Sequence, residues 1–176
     1  MAIHNESVLE AEICSDLAAR GWLYTPPKGS VISPDDTLYD REHALFPPDL
    51  LAWTQNTQPK AWEQLQKQYG ERAMPTLVER LRDSLDQHGT HHVLHQGIEI
   101  LGLRRPLSLV QFRPAMGLNA ELQTRYATNR LRVVRQLHYS LHHRNCIDLV
   151  LFLNGLSIAT GKSYHGYKRM LTKSAV

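Results

Sequence analysis

Apolar residues recur at helical spacing in SVLEAEICSDLAAR, residues 7–20, where Leu9, Ile13 and Leu17 fall on one face. The pattern predicts a helix that Gly21 ends. Ser7 and Glu10 stand at the spacing of a capping box. Periodicity then lapses: TPPKGS, SPDD and FPPD within residues 22–58 are turn and loop signals. A short helix is expected at Asp49–Thr54. Residues 60–69 and 75–88 are again helical. The second of these has Pro75 at its start and Leu77, Leu81 and Leu85 four apart, and Gly89 closes it. Residues 91–101 are expected to add a further short helix.

In the second half, LSLVQF at 107–112 reads as a strand. NAELQTRYA at 119–127 reads as a helix capped by Asn119, and LRVVRQLHYS at 131–140 as another strand. IDLVLFL and LSIAT flank Asn154-Gly155, a dipeptide suited to a tight turn with positive φ at both central positions. Neither run alternates, so the hairpin should be central and covered on both faces. A plain two-residue turn here pairs Asp148 with Gly161 and sends residue 162 to the opposite face. Helices come first and the sheet follows, an α/β class of mixed α+β character.

The 176 residues suit one domain, and 42% hydrophobic with 21% charged content is ordinary for a globular chain. No apolar run approaches a membrane span, and MAIHNESVLEAEI carries acids where a signal peptide carries bases, so a cytoplasmic location is expected. Cys14 and Cys146 are lone and far apart, which argues against a disulfide framework. The net charge of +3 conceals an asymmetry. Residues 1–51 hold nine acids and three bases, whereas residues 104–148 hold eight arginines, no lysine and two acids. An arginine block suits phosphate contact, because the guanidinium fork matches phosphate oxygens. A solvated basic face, or pairing of Arg130, Arg132 and Arg135 with the acidic N-terminal third, fits the same composition.

Asp148 begins an otherwise apolar strand, where a carboxylate is costly without a partner. Magnesium-dependent phosphodiester cleavage uses carboxylates at such a position, together with a base or lysine for the attacking water; an Asp that simply reaches solvent is the plainer reading. NRLRVVRQLHYSLHHRNCIDLVLFLNGLSIAT resembles the N-terminal endonuclease region of the R (restriction) subunit of type I restriction-modification enzymes. NESVLEAEICSDLAARGW, YDREHALFPPDLLAWTQNTQPKAWEQL and LSLVQFRPAMGLNAELQTRYATNRL extend the resemblance across residues 5–160. It implies a PD-(D/E)xK restriction-endonuclease-like core spanning 1–160, with a central mixed sheet flanked by helices, and a role in bacterial defence by cleavage of double-stranded DNA with Mg²⁺. The implied partners are DNA and the modification and specificity subunits, with no membrane. ATP would be used only by translocase domains of the full-length subunit. Asp148 maps onto the metal-binding aspartate and Glu10 onto the glutamate of the first helix, with Glu6 a weaker candidate. Arg130, Arg132 and Arg135 become candidates for the DNA face.

The sequence departs from that family after Thr160. Where the motif has Glu-x-Lys, this chain has Lys162 and Tyr164, and no acid follows Asp148. Residues 161–176 read as an atypical tail, as a truncated or frame-shifted gene would give. The expectation is therefore a nuclease scaffold with an impaired site, or a non-catalytic fragment that binds DNA or docks on the restriction complex. Two other patterns carry less. ATGKS resembles the end of a P-loop, but Gly155 to Gly161 is one residue too long and spans a hairpin. His88, His91, His92 and His95 form two i,i+4 pairs, a zinc-like spacing if helical, although a plain surface histidine patch is the simpler reading. His138, His142 and His143 add pH-dependent charge to the arginine block.

Overall fold

The computed structural model describes residues 3–115, 119–162 and 173–174. Its contacts divide the chain into two compact units, the first comprising residues 1–46 and 130–175, the second residues 47–129.

The first unit is built on the sheet. Helix α1 (Ile3–Ala19) is followed by a turn in which Gly21 N–H donates to Ala18 O and Trp22 N–H to Leu17 O. Those two bonds satisfy carbonyls that the helix end would otherwise leave unpaired. Because α1 begins at Ile3, Ser7 lies inside it, so the expected capping box does not form. Strands β1 (Leu131–His138), β2 (Cys146–Leu153) and β3 (Leu156–Gly161) form an antiparallel sheet in that order. The two-residue β4 (Lys173–Ser174) adds to β3. The expected mixed sheet is antiparallel throughout its strand pairs, and the only parallel element among the described residues is a single bridge from Leu23 to Arg132.

Strand β2 is covered on both faces, as its unbroken apolar run requires. On one side Val133 and Leu149 pack against Cys14, with Ile13, Leu17, Trp22 and Tyr24 around them. On the other, Val134, Val150 and Phe152 pack on Phe46, with Tyr39 beside them. Phe46 and Phe152 meet edge to face at 4.7 Å between centroids, a favoured aromatic geometry. Asn154 (φ 51°) and Gly155 (φ 92°) form the expected turn. The Asn154 side chain is buried and its Oδ1 accepts from Arg130 N–H at 2.7 Å, while the Asn154 backbone N–H donates to Arg130 O at 2.8 Å.

The hairpin register differs from that of a plain turn. Leu153 pairs with Leu156 and Phe152 with Ser157, but Leu151 pairs with Ala159. Ile158 is the extra residue of a β-bulge. Beyond it, Val150 faces Thr160 and Leu149 faces Gly161. Asp148 thus comes level with residue 162, not with Gly161 as a plain turn would have it.

The second unit is helical: α2 (Pro47–Thr57), α3 (Pro59–Tyr69), α4 (Ala73–Gln96) and α5 (Ala120–Ala127). Helix α4 is interrupted at Gly89 (φ 77°, ψ 163°), where a stop is expected. Its second half ends at Gln96, short of the expected 101, because Ile98 bridges to Leu107. A Cβ on Gly97 would lie 2.4 Å from Leu107 O, so that approach needs glycine. Leu50, Trp53, Leu65, Leu77, Leu81, Ile98, Leu107 and Leu109 are fully buried. Asn119 caps α5, its side chain accepting from Glu121 N–H and Leu122 N–H.

The strand expected at 107–112 does not form. The segment is extended, but carboxamide side chains take the place of a neighbouring strand. Gln58 bonds Ser108 N–H and O at 2.9 and 2.8 Å, and Asn129 bonds Gln111 N–H and O at 3.3 and 2.8 Å. Trp53 Nε1–H also donates to Ser108 O at 2.8 Å. Backbone groups must be paired, and side chains serve where no strand is available.

Candidate functional site

The candidate site lies in the first unit, where α1 crosses the end of the β1–β2 pair. Val134 and Leu137 share one core cluster although they are three positions apart, and so do Val150 and Ile147. Strict alternation would send such residues to opposite faces. Both strands therefore switch faces at the level of Gln136 and Asp148. Gln136 carries the distortion, with φ at 51°, a conformation that costs a non-glycine residue on the order of 1–3 kcal/mol and often marks a functional position.

Gln136 is held by two residues through three hydrogen bonds. Its Nε2 donates to both Glu10 oxygens at 3.2 and 3.1 Å, and its Oε1 accepts from Cys146 Sγ at 2.9 Å. Glu10 is buried, as its place on the α1 face with Ile13 and Leu17 leads one to expect. Its Oε2 accepts from Arg135 Nε at 2.6 Å, and Arg135 Nη2 donates to Ser7 Oγ at 2.8 Å. The Ser7–Glu10 spacing that resembles a capping box thus serves to grip one arginine. Asp148 is half-buried on β2, on the strand face switch. Cys146 is exposed, yet partial desolvation of its thiol raises the pKa, with the Asp148 and Glu10 carboxylates adding to the effect. Cys14, one turn beyond Glu10, is pushed up to about 11, chiefly by burial, with Arg135 opposing the shift.

Arg132 and Arg135 are not disposed as an open phosphate-binding face. Arg132 is buried; its Nη1 lies 2.9 Å from Asp35 Oδ2, and its guanidinium sits 5.0 Å from the Phe46 ring centroid. Thr25 Oγ1–H completes the Asp35 cluster at 2.7 Å. Arg135 is committed to Glu10 and Ser7. Pairing with the acidic N-terminal third therefore describes both residues. Arg130 is half-buried beside the hairpin turn. Arg104, Arg105, Arg113 and Arg144 are the exposed arginines of the basic block.

The resembled motif needs Mg²⁺, and the donors present do not suit it. Among the described residues no group of three or more His, Cys, Asp or Glu is placed to hold a metal ion. Glu10 already accepts a charge-assisted bond from Arg135. The register puts Lys162, an exposed cation, across from Asp148, where a second carboxylate would serve. A lysine there repels a divalent ion. Tyr164 and the side chain of Glu6 lie outside the described structure. No helix among the described residues is long and apolar enough to cross a membrane.

Gln136 and Asp35 are site residues that sequence reasoning did not single out, and Ser7 and Cys146 entered it only as a helix cap and a lone thiol. A positive φ at a glutamine has no sequence signal, and the Asp35–Arg132 pairing joins residues 97 positions apart. No protein-family model matches the chain, and no curated protein or solved structure matches it either.

Proposed function

We propose that this chain is a nuclease-type region of a type I restriction R subunit, built on a PD-(D/E)xK core, in which the catalytic half-site is broken. The observation that carries the reading is the register at the strand ends. The Ile158 bulge brings Asp148 level with residue 162, the place of the missing motif glutamate, and α1 supplies a buried Glu10 that accepts from Gln136 of the neighbouring strand β1. A first-helix glutamate, a strand-end aspartate and the next strand's 162 position are the three carriers that the resemblance requires. Lys162 in place of the acid, and Arg135 on Glu10, support a non-catalytic role in which Asp148 and Glu10 are relics of a metal site.

Docking on the modification and specificity subunits accounts for the geometry better than DNA binding through β1, because Arg132 and Arg135 are spent on internal carboxylates. A nicking assay on supercoiled DNA with Mg²⁺, run beside a mobility-shift assay and a pull-down with modification and specificity subunits, tests the reading. Capture by the subunits without cleavage is the expected result. Mg²⁺-dependent cleavage that Asp148→Ala abolishes would overturn the broken-site reading.

A further inference from the structure

The second unit carries a feature independent of the nuclease-like site. His88, His91, His92 and His95 lie on α4 to either side of its break at Gly89, all exposed. Their rings are already paired: His88 and His92 stack at 4.8 Å between centroids, and His91 and His95 lie at 4.6 Å. Phe112 stacks on His95 at 4.5 Å and limits that ring's freedom. His91 and His95 are four apart on the unbroken second half of α4, and such residues present their side chains to one another; His88 and His92 flank the Gly89 break and are brought together by their ring contact. Two imidazoles so presented form a chelate whose side chains lose little further freedom when an ion arrives.

We propose that these histidines bind first-row divalent transition ions, Cu²⁺, Ni²⁺ or Zn²⁺, one ion at each i,i+4 histidine pair. Imidazole suits these ions, and affinity should follow the order in which Cu²⁺ exceeds Ni²⁺ and Zn²⁺. No third protein donor joins either pair among the described residues, so water completes each coordination shell. That places the affinity in the range of a two-ligand chelate, below that of a structural zinc site with four protein ligands. The two pairs differ in consequence. His88 precedes the helix break at Gly89 and His92 follows it, so an ion there ties the two halves of α4 together. The His91–His95 pair lies wholly in the second half.

The test is calorimetric titration of the full chain with Cu²⁺ and Ni²⁺, with circular dichroism to verify folding. The four rings are exposed, so Gln substitutions there should leave the fold intact. His92→Gln and His95→Gln should each remove one binding equivalent, and the double variant should remove both. His142→Gln with His143→Gln, a change at exposed histidines elsewhere, should leave both in place. Ni²⁺ should raise the melting temperature of the wild type and not that of the double variant. Absence of binding in the wild type, or a double variant that titrates like the wild type, would overturn the proposal. So would loss of the binding equivalents in the His142/His143 control.

Discussion

Arg135 and Glu10 are 125 positions apart in sequence and 2.6 Å apart in the fold, joined through Nε and Oε2. The pair ties α1 to β1 at the point where β1 changes faces. Its partners are almost wholly withdrawn from solvent, with side-chain exposures of 11% and 4%. Such a pair contributes modestly as a whole, yet removing one member leaves a buried charge uncompensated.

Arg135→Ala should therefore destabilise the protein by about 3–5 kcal/mol. Replacing both partners with apolar residues, as Arg135→Met with Glu10→Leu, should cost much less. Urea denaturation of the two variants beside the wild type measures the difference. If the single variant proves no worse than the double, the ion pair does not hold α1.

The thiols give a pH-dependent test. Cys14 is fully buried with its pKa raised to about 11 from 9.0. In the unfolded chain the thiol loses its proton near 9.0, whereas in the folded protein it keeps it until about 11. The unfolded state thus binds fewer protons across that window, and stability falls as pH rises through it. Cys14→Ala should flatten this part of the stability curve between pH 8 and 11. At neutral pH a thiol reagent should label exposed Cys146 and spare Cys14 until the chain unfolds.

At the hairpin, Asn154 combines a positive φ with a buried side chain that accepts from Arg130 N–H. Asn154→Gly keeps the turn conformation and loses the bond; Asn154→Ala loses the bond and adds strain. Alanine should cost roughly 2–4 kcal/mol and glycine about 1–3 kcal/mol. Equal effects in thermal melts would mean that strain at this turn is negligible.

The bulge permits a gain-of-function experiment. Lys162→Glu with Tyr164→Lys restores the motif spacing, and with Ile158 in place the new glutamate comes level with Asp148. Slow Mg²⁺-dependent nicking is expected where the parent shows none, and Asp148→Ala should abolish it. Deleting Ile158 from the double variant returns the plain register and should also end cleavage, because residue 162 then leaves the Asp148 face. A folded double variant without nicking would show that register alone does not rebuild the site.

The buried arginines separate stability from DNA contact. Arg132→Ala should destabilise by about 3–5 kcal/mol, since Asp35 would be left buried without its cation. It should not change the salt dependence of any residual DNA binding. Arg144→Ala, at an exposed position on the β1–β2 loop, should leave stability within about 0.5 kcal/mol. If the chain contacts DNA there, this change should reduce the salt slope. A mobility-shift series across salt concentrations reads both effects.

Local signals in the sequence determined the helices and the hairpin. Leu9, Ile13 and Leu17 specify α1, Asn119 caps α5, Gly89 breaks α4 and Asn154-Gly155 turns the hairpin; each rests on chemistry within a few residues. Burial of Glu10 was legible from its neighbours Ile13 and Leu17, although Leu9, read as part of the same face, is exposed and Cys14 is buried in its stead. The strand at 107–112 was misread because propensity cannot tell whether a partner strand will be present, and Gln58 and Asn129 take that place. The Ile158 bulge, the face switch at Gln136 and the commitment of Arg132 and Arg135 to Asp35 and Glu10 arise only when distant segments pack together. Strand register answers to core packing on both faces, and an arginine pairs with whichever carboxylate the fold buries beside it. Neither is encoded in spacing along the chain.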